Sequence, residues 1–516
     1  MSGHPVPLFQ SLIKRLLLTR IALSIVLPFT LFLAVFYQVE KIRGRQALEQ
    51  SVIQFTADGE SLNFNDFLKP APSAENNFGA TTFLDGLMLS EESDPAFLTE
   101  AQRKRDYFTG LAGPVAFVDP SPESTIAGVV VARDVDWKKT RRTQSYRSPK
   151  RKPPSEEPSD VRAMDKVLDL QRAVFEELAL AAQRPHAVFT PVRLNRPFQK
   201  NLTFPFFKGS PILQLRLQAA TALGRLQEAA DLARVFWRLR EATLHESGFL
   251  GYIWAGKAGA DWCDGVTCLL RSPRRDAALL AQLQSQIPAD WSPKGEMLQA
   301  SRFSAADINL AWTRIIEQAT NHFSGDLDGQ FVEHYYDDTK LALFSPVGWL
   351  GQNAAESLRL HRLHRLQPLR KMDFTLLPAA QATLPPHFFR LSPYRRWVPD
   401  YKNAADLEFA VYDTIRIQLT FLTLALERYR LEFGRYPVSA HDLVPDYIRS
   451  IPPDIDAQPL RLATFREGAK AVVYSIGWNM KDDWRGQPPA ALEKGTSPVR
   501  QPDWIISLPL PPLPEP

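Results

Sequence analysis

The sequence predicts a mainly α protein with an N-terminal transmembrane helix, a helical body and a C-terminal α+β region of one long helix plus a small antiparallel sheet. Three observations predict it. Residues 21–39 form a strongly apolar run, IALSIVLPFTLFLAVFYQV. Leu407, Val411, Ile415, Leu419, Leu422, Leu426, Tyr429 and Phe433 recur every three or four residues, one apolar stripe on a helix. Two short β-rich segments, 460–465 and 471–476, flank Glu467-Gly468 and read as a hairpin.

The chain has 516 residues, of which 45% are hydrophobic and 23% charged, a globular composition long enough for several domains. A net charge of +4 is slight for this length, and no nucleic-acid partner is expected. Forty-two prolines favour loops and extended connections. Cys263 and Cys268 cannot form a disulfide framework; they are either one local bridge or two buried thiols.

Residues 1–20 read as a short cytoplasmic arm and 21–39 as the membrane helix. Nineteen residues span about 28 Å at ~1.5 Å each, close to a hydrocarbon core of ~30 Å. Pro28 interrupts the run, which bilayer helices tolerate. The run exceeds a signal-peptide core, so it reads as an uncleaved anchor whose partner is membrane lipid. Lys14, Arg15 and Arg20 precede it, and Lys41, Arg43 and Arg45 follow it, so basic residues alone leave orientation balanced.

Residues 40–137 are a mixed membrane-proximal region whose first part, 42–55, continues the helix, and Asp58-Gly59 is a turn. Residues 138–160 hold eight basic residues and no aliphatic core residue, a disordered tether open to an acidic partner. Residues 161–370 form the helical domain: Ile212, Leu215, Ala219 and Leu223 lead to a break at Gly224, and Leu226, Ala230, Ala233 and Trp237 resume. Its helix pairs should pack around Trp237, Trp254, Trp262 and Trp312. Residues 371–402 are a Pro- and aromatic-rich connection, 403–506 the α+β domain, and 507–516 a Pro-rich tail that reads as polyproline II. In the long helix Asn403 suits the N-cap, Gly434 the left-handed C′ position, and Pro437 the stop.

That last domain resembles the major pseudopilin of type II secretion. The resemblance covers roughly 407–506 and rests on Ala425-Leu426-Glu427, Tyr429, Gly434, Tyr436-Pro437, Leu443, Tyr447-Ile448, Pro452, Asp454, Pro459, Tyr474-Ser475, Gly477 and Asp503 in that order. The chain departs from the family at its signal: Phe29-Thr30-Leu31 follows Pro28 rather than glycine, and the fifth position is Leu33 rather than glutamate. The family's Asp-Pro-Trp-Gly corner stands as Asp454-Ile455-Asp456-Ala457. Ile42-Arg43-Gly44-Arg45, Asn76-Asn77-Phe78, Arg184-Pro185 and the stretch Pro346-Val347-Gly348-Trp349-Leu350-Gly351-Gln352-Asn353 also resemble a broader group of single-pass membrane proteins of planctomycete-type bacteria.

The resemblance implies a single-pass protein of the inner (cytoplasmic) membrane with its bulk extracytoplasmic. It further implies a scaffold or assembly role, possible ties to a secretion or pilus-like system, and protein partners in the envelope. Pseudopilins bind calcium in the loop after the last strand; the matching positions are Asn479 and Asp503, with Asp482 and Asp483 between them. No other cofactor is expected. The alternative is an envelope hydrolase using His334, Asp337 and Asp338, since carboxylates beside a histidine can perform acid–base work. His361 and His364, spaced three apart among Arg359, Arg362 and Arg365, read as a basic solvated face rather than a metal pair. No phosphate-binding loop, nucleophile elbow or His-Glu-x-x-His motif occurs.

Overall fold

The computed structural model describes residues 7–67, 72–81, 84, 161–189, 204–244, 248–320, 347–371, 405–483 and 503–510. The fold is mainly helical with one small sheet. Its helices are α1 (Pro7–Ala57), α2 (Val161–Leu168), α3 (Arg172–Ala181), α4 (Phe204–Ala222), α5 (Leu226–Leu244), α6 (Gly248–Arg271), α7 (Ala277–Gln284), α8 (Pro293–Thr320), α9 (Val347–His361), α10 (Gln367–Lys371) and α11 (Ala405–Phe433). The strands are β1 (Arg461–Phe465), β2 (Lys470–Ser475) and β3 (Trp504–Leu508). The described chain divides into two compact units. Among the described residues, one comprises 7–66, 305–320 and 347–364, the other those between 67 and 304, 365–371 and those between 405 and 510.

The first unit is built on α1. Pro28 lies inside it without ending it, and the helix runs on past the apolar stretch to Ala57. Ile25, Val26, Leu27, Phe29, Leu31, Phe32 and Val35 are 54 to 66% exposed, so the described chain leaves these side chains largely uncovered. From Glu40 onward the character changes. Glu40, Gly44 and Phe55 are buried and Ser51 is half-buried, the three-and-four spacing of a helix seam, while Ile42 and Ile53 stay exposed. The seam faces α9, which runs beside α1 in the same direction: Gly348 meets Glu40, Gly351 meets Gly44, Ser51 donates to the Ala355 carbonyl, and Arg362 pairs with Asp58. The second half of α8 completes the unit, with Trp312 donating to Ser357 Oγ at 3.2 Å and Asn309 to the Leu62 carbonyl.

The second unit has two cores. In the first, α4 and α5 form the hairpin expected at Gly224, which takes φ +78° so that Arg225 N can reach the Ala220 carbonyl. Trp237 of α5 meets Trp262 of α6 edge-on at 5.5 Å and Trp291 at 5.8 Å, and all three pack with leucines of α4 to α7. Trp312, expected in this cluster, belongs to the other unit. The second core lies between α11 and the sheet. Leu407, Val411, Ile415, Leu419, Leu422 and Leu426 contribute the anticipated stripe, facing Ala471, Val473, Trp504, Ile506 and Leu508.

The stripe is one of two buried faces. Ile417 and Leu424 project into the first core, so α11 is shared by both and packs on α6 and α7 as well as on β2. Of its apolar window 83% is buried. Packing therefore does not follow the boundary drawn between a body at 161–370 and a domain at 403–506. Gly434, at φ +70°, ends α11 by donating to the Arg430 carbonyl. The end of the stripe is wetter than expected, since Phe433 is 54% exposed.

The sheet is an antiparallel meander in the order β1-β2-β3, with Arg461 opposite Tyr474, Ala471 opposite Leu508 and Ser475 opposite Trp504. Its first two strands are the expected hairpin. The third corrects the C-terminal boundary: Leu508, assigned to a polyproline tail beginning at 507, is the last residue of a paired strand. Trp504 stands edge-on to Tyr412 at 5.1 Å and fixes β3 to α11.

Candidate functional site

The most specific construction in the first unit is the joint where α1 leaves its apolar stretch. Gly44, Gly348 and Gly351 bring the two backbones into direct contact. A Cβ at Gly348 would fall 1.8 Å from the Glu40 carbonyl oxygen, and one at Gly44 would fall 2.0 Å from that of Gly348. Only glycine permits such an approach. It carries Trp349 and Gln352 onto Glu40, whose Oε2 accepts from Trp349 Nε1 at 3.1 Å and Gln352 Nε2 at 2.8 Å. Arg43 supplies Oε1 with a third partner at 2.9 Å. Below the carboxylate Phe36 packs edge-on to Trp349 at 6.4 Å. A buried carboxylate with three donors, beside glycines that admit no side chain, holds two helices in a single register.

The residues of the 425–437 motif serve structure. Glu427 is buried and ion-pairs with Arg275 and Arg430, and it accepts from the Tyr436 hydroxyl. Burial alone would raise its pKa. The hydrogen bonds from Arg430 and Tyr436, with the charges of Arg430 and Arg275, outweigh burial and hold the carboxyl below its usual range. The Tyr436-Pro437 turn is thereby tied to the end of α11. At the 454–457 corner Asp454 plays a similar part, accepting from the Ser475 hydroxyl, Ile455 N at 2.7 Å, Ile476 N at 3.0 Å and Arg461 at 2.5 Å. It ties the loop before β1 to the end of β2.

Of the expected calcium positions, Asn479, Asp482 and Asp483 share the turn after β2, and Asp503 precedes β3. Asn479 donates to Asp483 at 2.6 Å and its Oδ1 accepts from Lys481 N at 3.0 Å. Asp482 faces Tyr474 at 3.3 Å and Arg461 at 4.0 Å. Asp503 is buried while the other three are exposed. Among the described residues no three His, Cys, Asp or Glu side chains gather for a metal. His334, Asp337, Asp338 and the 138–160 tether lie outside the described residues.

His361 and His364 overturn the expectation of a solvated face: they are 2% and 4% exposed. The arginines around them are drawn into pairs, Arg359 with Glu356 and Arg362 with Asp58. Cys263 and Cys268 are buried thiols on α6 without a disulfide, and burial pushes the Cys263 thiol up to about 12. Sequence reasoning missed a charged seam between α6 and α11. Arg416 pairs with Asp264, Lys257 and Ser210 with Asp261, and Asp413 lies against Gly256. Burial pushes Asp413 up to about 7, the neighbouring Asp261 and Asp264 adding to the shift and Arg416 and Lys257 opposing it. Sequence reasoning also passed over Glu40. Its signal was a lone acid directly after the apolar run, together with two glycines three apart in the 346–353 stretch.

Comparison with protein-family models, curated proteins and solved structures finds no match to the chain.

Proposed function

We propose that the protein is a membrane-anchored extracytoplasmic scaffold or assembly component, linked to a secretion or pilus-like system, that works by binding other envelope proteins. The observation that carries the reading is the contrast between two apolar helices. Ile25, Val26, Leu27, Phe29, Leu31, Phe32 and Val35 of α1 are mostly exposed, whereas the comparably apolar segment of α11 is 83% buried. Exposed Leu, Ile, Val and Phe over this length have a favourable partner in lipid. The joint at Glu40 supports the same reading, because it mounts α9 on the anchor in one register. The dense pairing of Glu427, Asp454 and Arg216 supports a structural use of buried charge.

The long helix followed by an antiparallel sheet supports a pseudopilin-like C-terminal fold, now sharing its helix with a larger helical body. Asn479, Asp482, Asp483 and Asp503 are the calcium ligands this reading proposes. Their three carboxylates and one amide oxygen, completed by backbone carbonyls or water, would supply the six to eight oxygens calcium takes. Affinity purification of the full chain from detergent-solubilised native membranes tests the assembly role. A protein partner in fixed ratio supports it, and recovery of the chain alone counts against it.

A further inference from the structure

We propose that a groove in the second unit is the docking site of the chain's own proline-rich segment 511–516. The groove has a volume of about 350 Å³ and runs between α7, one flank of α11 and the loop 447–453. Three aromatic rings line it, Trp291, Phe421 and Tyr447, with Pro288, Pro293, Pro452 and Pro453 among its other wall residues. Aromatic-lined grooves take polyproline II segments, whose stiffness leaves little chain entropy to lose on docking.

The rim is already ordered. The Tyr447 hydroxyl donates to Glu432 at 2.5 Å, and Arg428 stands 5.2 Å over the Tyr447 ring while donating to Gln284 at 2.7 Å. The Trp291 indole N–H is buried with no acceptor among the described residues. A polyproline II chain makes no internal hydrogen bonds, so its carbonyls are available as acceptors.

The occupant follows from where the described chain leaves off. Leu510 packs against both cores of the unit, as does Phe421, which lines the groove. The next six residues are Pro-Pro-Leu-Pro-Glu-Pro. In polyproline II they reach about 19 Å at ~3.1 Å per residue. Phe421 to Arg428 along α11 is about 10 Å at ~1.5 Å per residue, so the segment is long enough to follow the groove. Its single charge is the acid Glu515, and the groove carries Arg428 and Arg449. Arg449 is exposed on the lining of the groove, where Glu515 can pair with it.

The test uses the full chain in detergent, a chain ending at Leu510, and a Glu515→Lys full chain. A fluorescent peptide of residues 510–516 is titrated into each by anisotropy, and hydrogen exchange is followed across 447–453. Removal of 511–516 should speed exchange there at least tenfold, and added peptide should restore it. The peptide should bind the shortened chain at least tenfold more tightly than the full chain, with Glu515→Lys between the two. Absence of binding to the shortened chain, with exchange unchanged in both variants, overturns the proposal. Equal binding to shortened and full chains also overturns it, because the groove would then be open to a segment of another protein. Should the shortened chain fail to fold, unchanged 447–453 exchange in Glu515→Lys is the result that refutes.

Discussion

Replacing Gly348 with alanine should loosen α9 from the membrane helix. The new Cβ would lie 1.8 Å from the Glu40 oxygen and 2.5 Å from Lys41 N, both backbone atoms that no rotamer can move. Ordinary contact begins at 3.4 Å, so the helices must part by the difference, 3.4 − 1.8 = 1.6 Å. That displacement takes Trp349 and Gln352, now at 3.1 and 2.8 Å, beyond hydrogen-bonding distance of Glu40. Hydrogen bonds to a charged group contribute about 1.5–3 kcal/mol each, and water returning to the carboxylate offsets part of the loss. A net cost of about 3 kcal/mol follows, or roughly 150-fold in a local opening equilibrium at 1.36 kcal/mol per decade. Hydrogen exchange of the peptide covering 347–361, measured in detergent micelles, reads this directly. Ile53→Ala, on the exposed flank of α1, should stay within about 0.5 kcal/mol of wild type. Wild-type protection of α9 in Gly348→Ala would refute the backbone contact and the register it sets.

Three further outcomes follow from the charged groups. Because Asp413 titrates near 7 in the folded chain and lower when unfolded, the folded state binds more protons between those values. Stability should therefore fall as pH rises from about 4 to 7, and Asp413→Asn should raise the melting temperature at pH 8 while changing it little at pH 4. Glu427 has the opposite sign: its depressed folded pKa contributes stability above the unfolded value of about 4.3, lost as pH falls through the folded one. Glu427→Gln should lower stability at pH 7 and flatten the acid limb of a denaturation profile. Glu296→Ala should cost about 3–5 kcal/mol by stranding Arg240, which stands over the Trp237 and Trp291 rings, and Arg240→Met in the same chain should recover part of it, as a urea titration would record.

Local signals in the sequence carried the helices, the hairpin and the ends set by Gly224 and Gly434. Features decided by distant partners were not legible. Residues 417, 421 and 424 have helical spacing too, but nothing local says that a second core waits on that side of α11. Strand β3 pairs with a segment 29 positions earlier at its nearest, Ser475 to Trp504, and its closing Leu508 precedes prolines that read as a tail. His361 and His364 looked solvated because three arginines surround them, yet Arg362 is taken up by Asp58, 304 positions away. Glu40 carried no reading at all, because its partners Trp349 and Gln352 lie 309 and 312 positions away and reach it only through the close approach at Gly348 and Gly351. Of the candidate ligands, the turn holding Asn479, Asp482 and Asp483 was evident, while the burial of Asp503 depends on how β3 is placed.

The assembly role is tested most directly by the mass of the particle extracted from native membranes in mild detergent, with the detergent contribution subtracted. A protein mass well above one chain of 58.3 kDa, with a second polypeptide in constant ratio, is the expected result. A particle with the mass of one chain and no companion would contradict it.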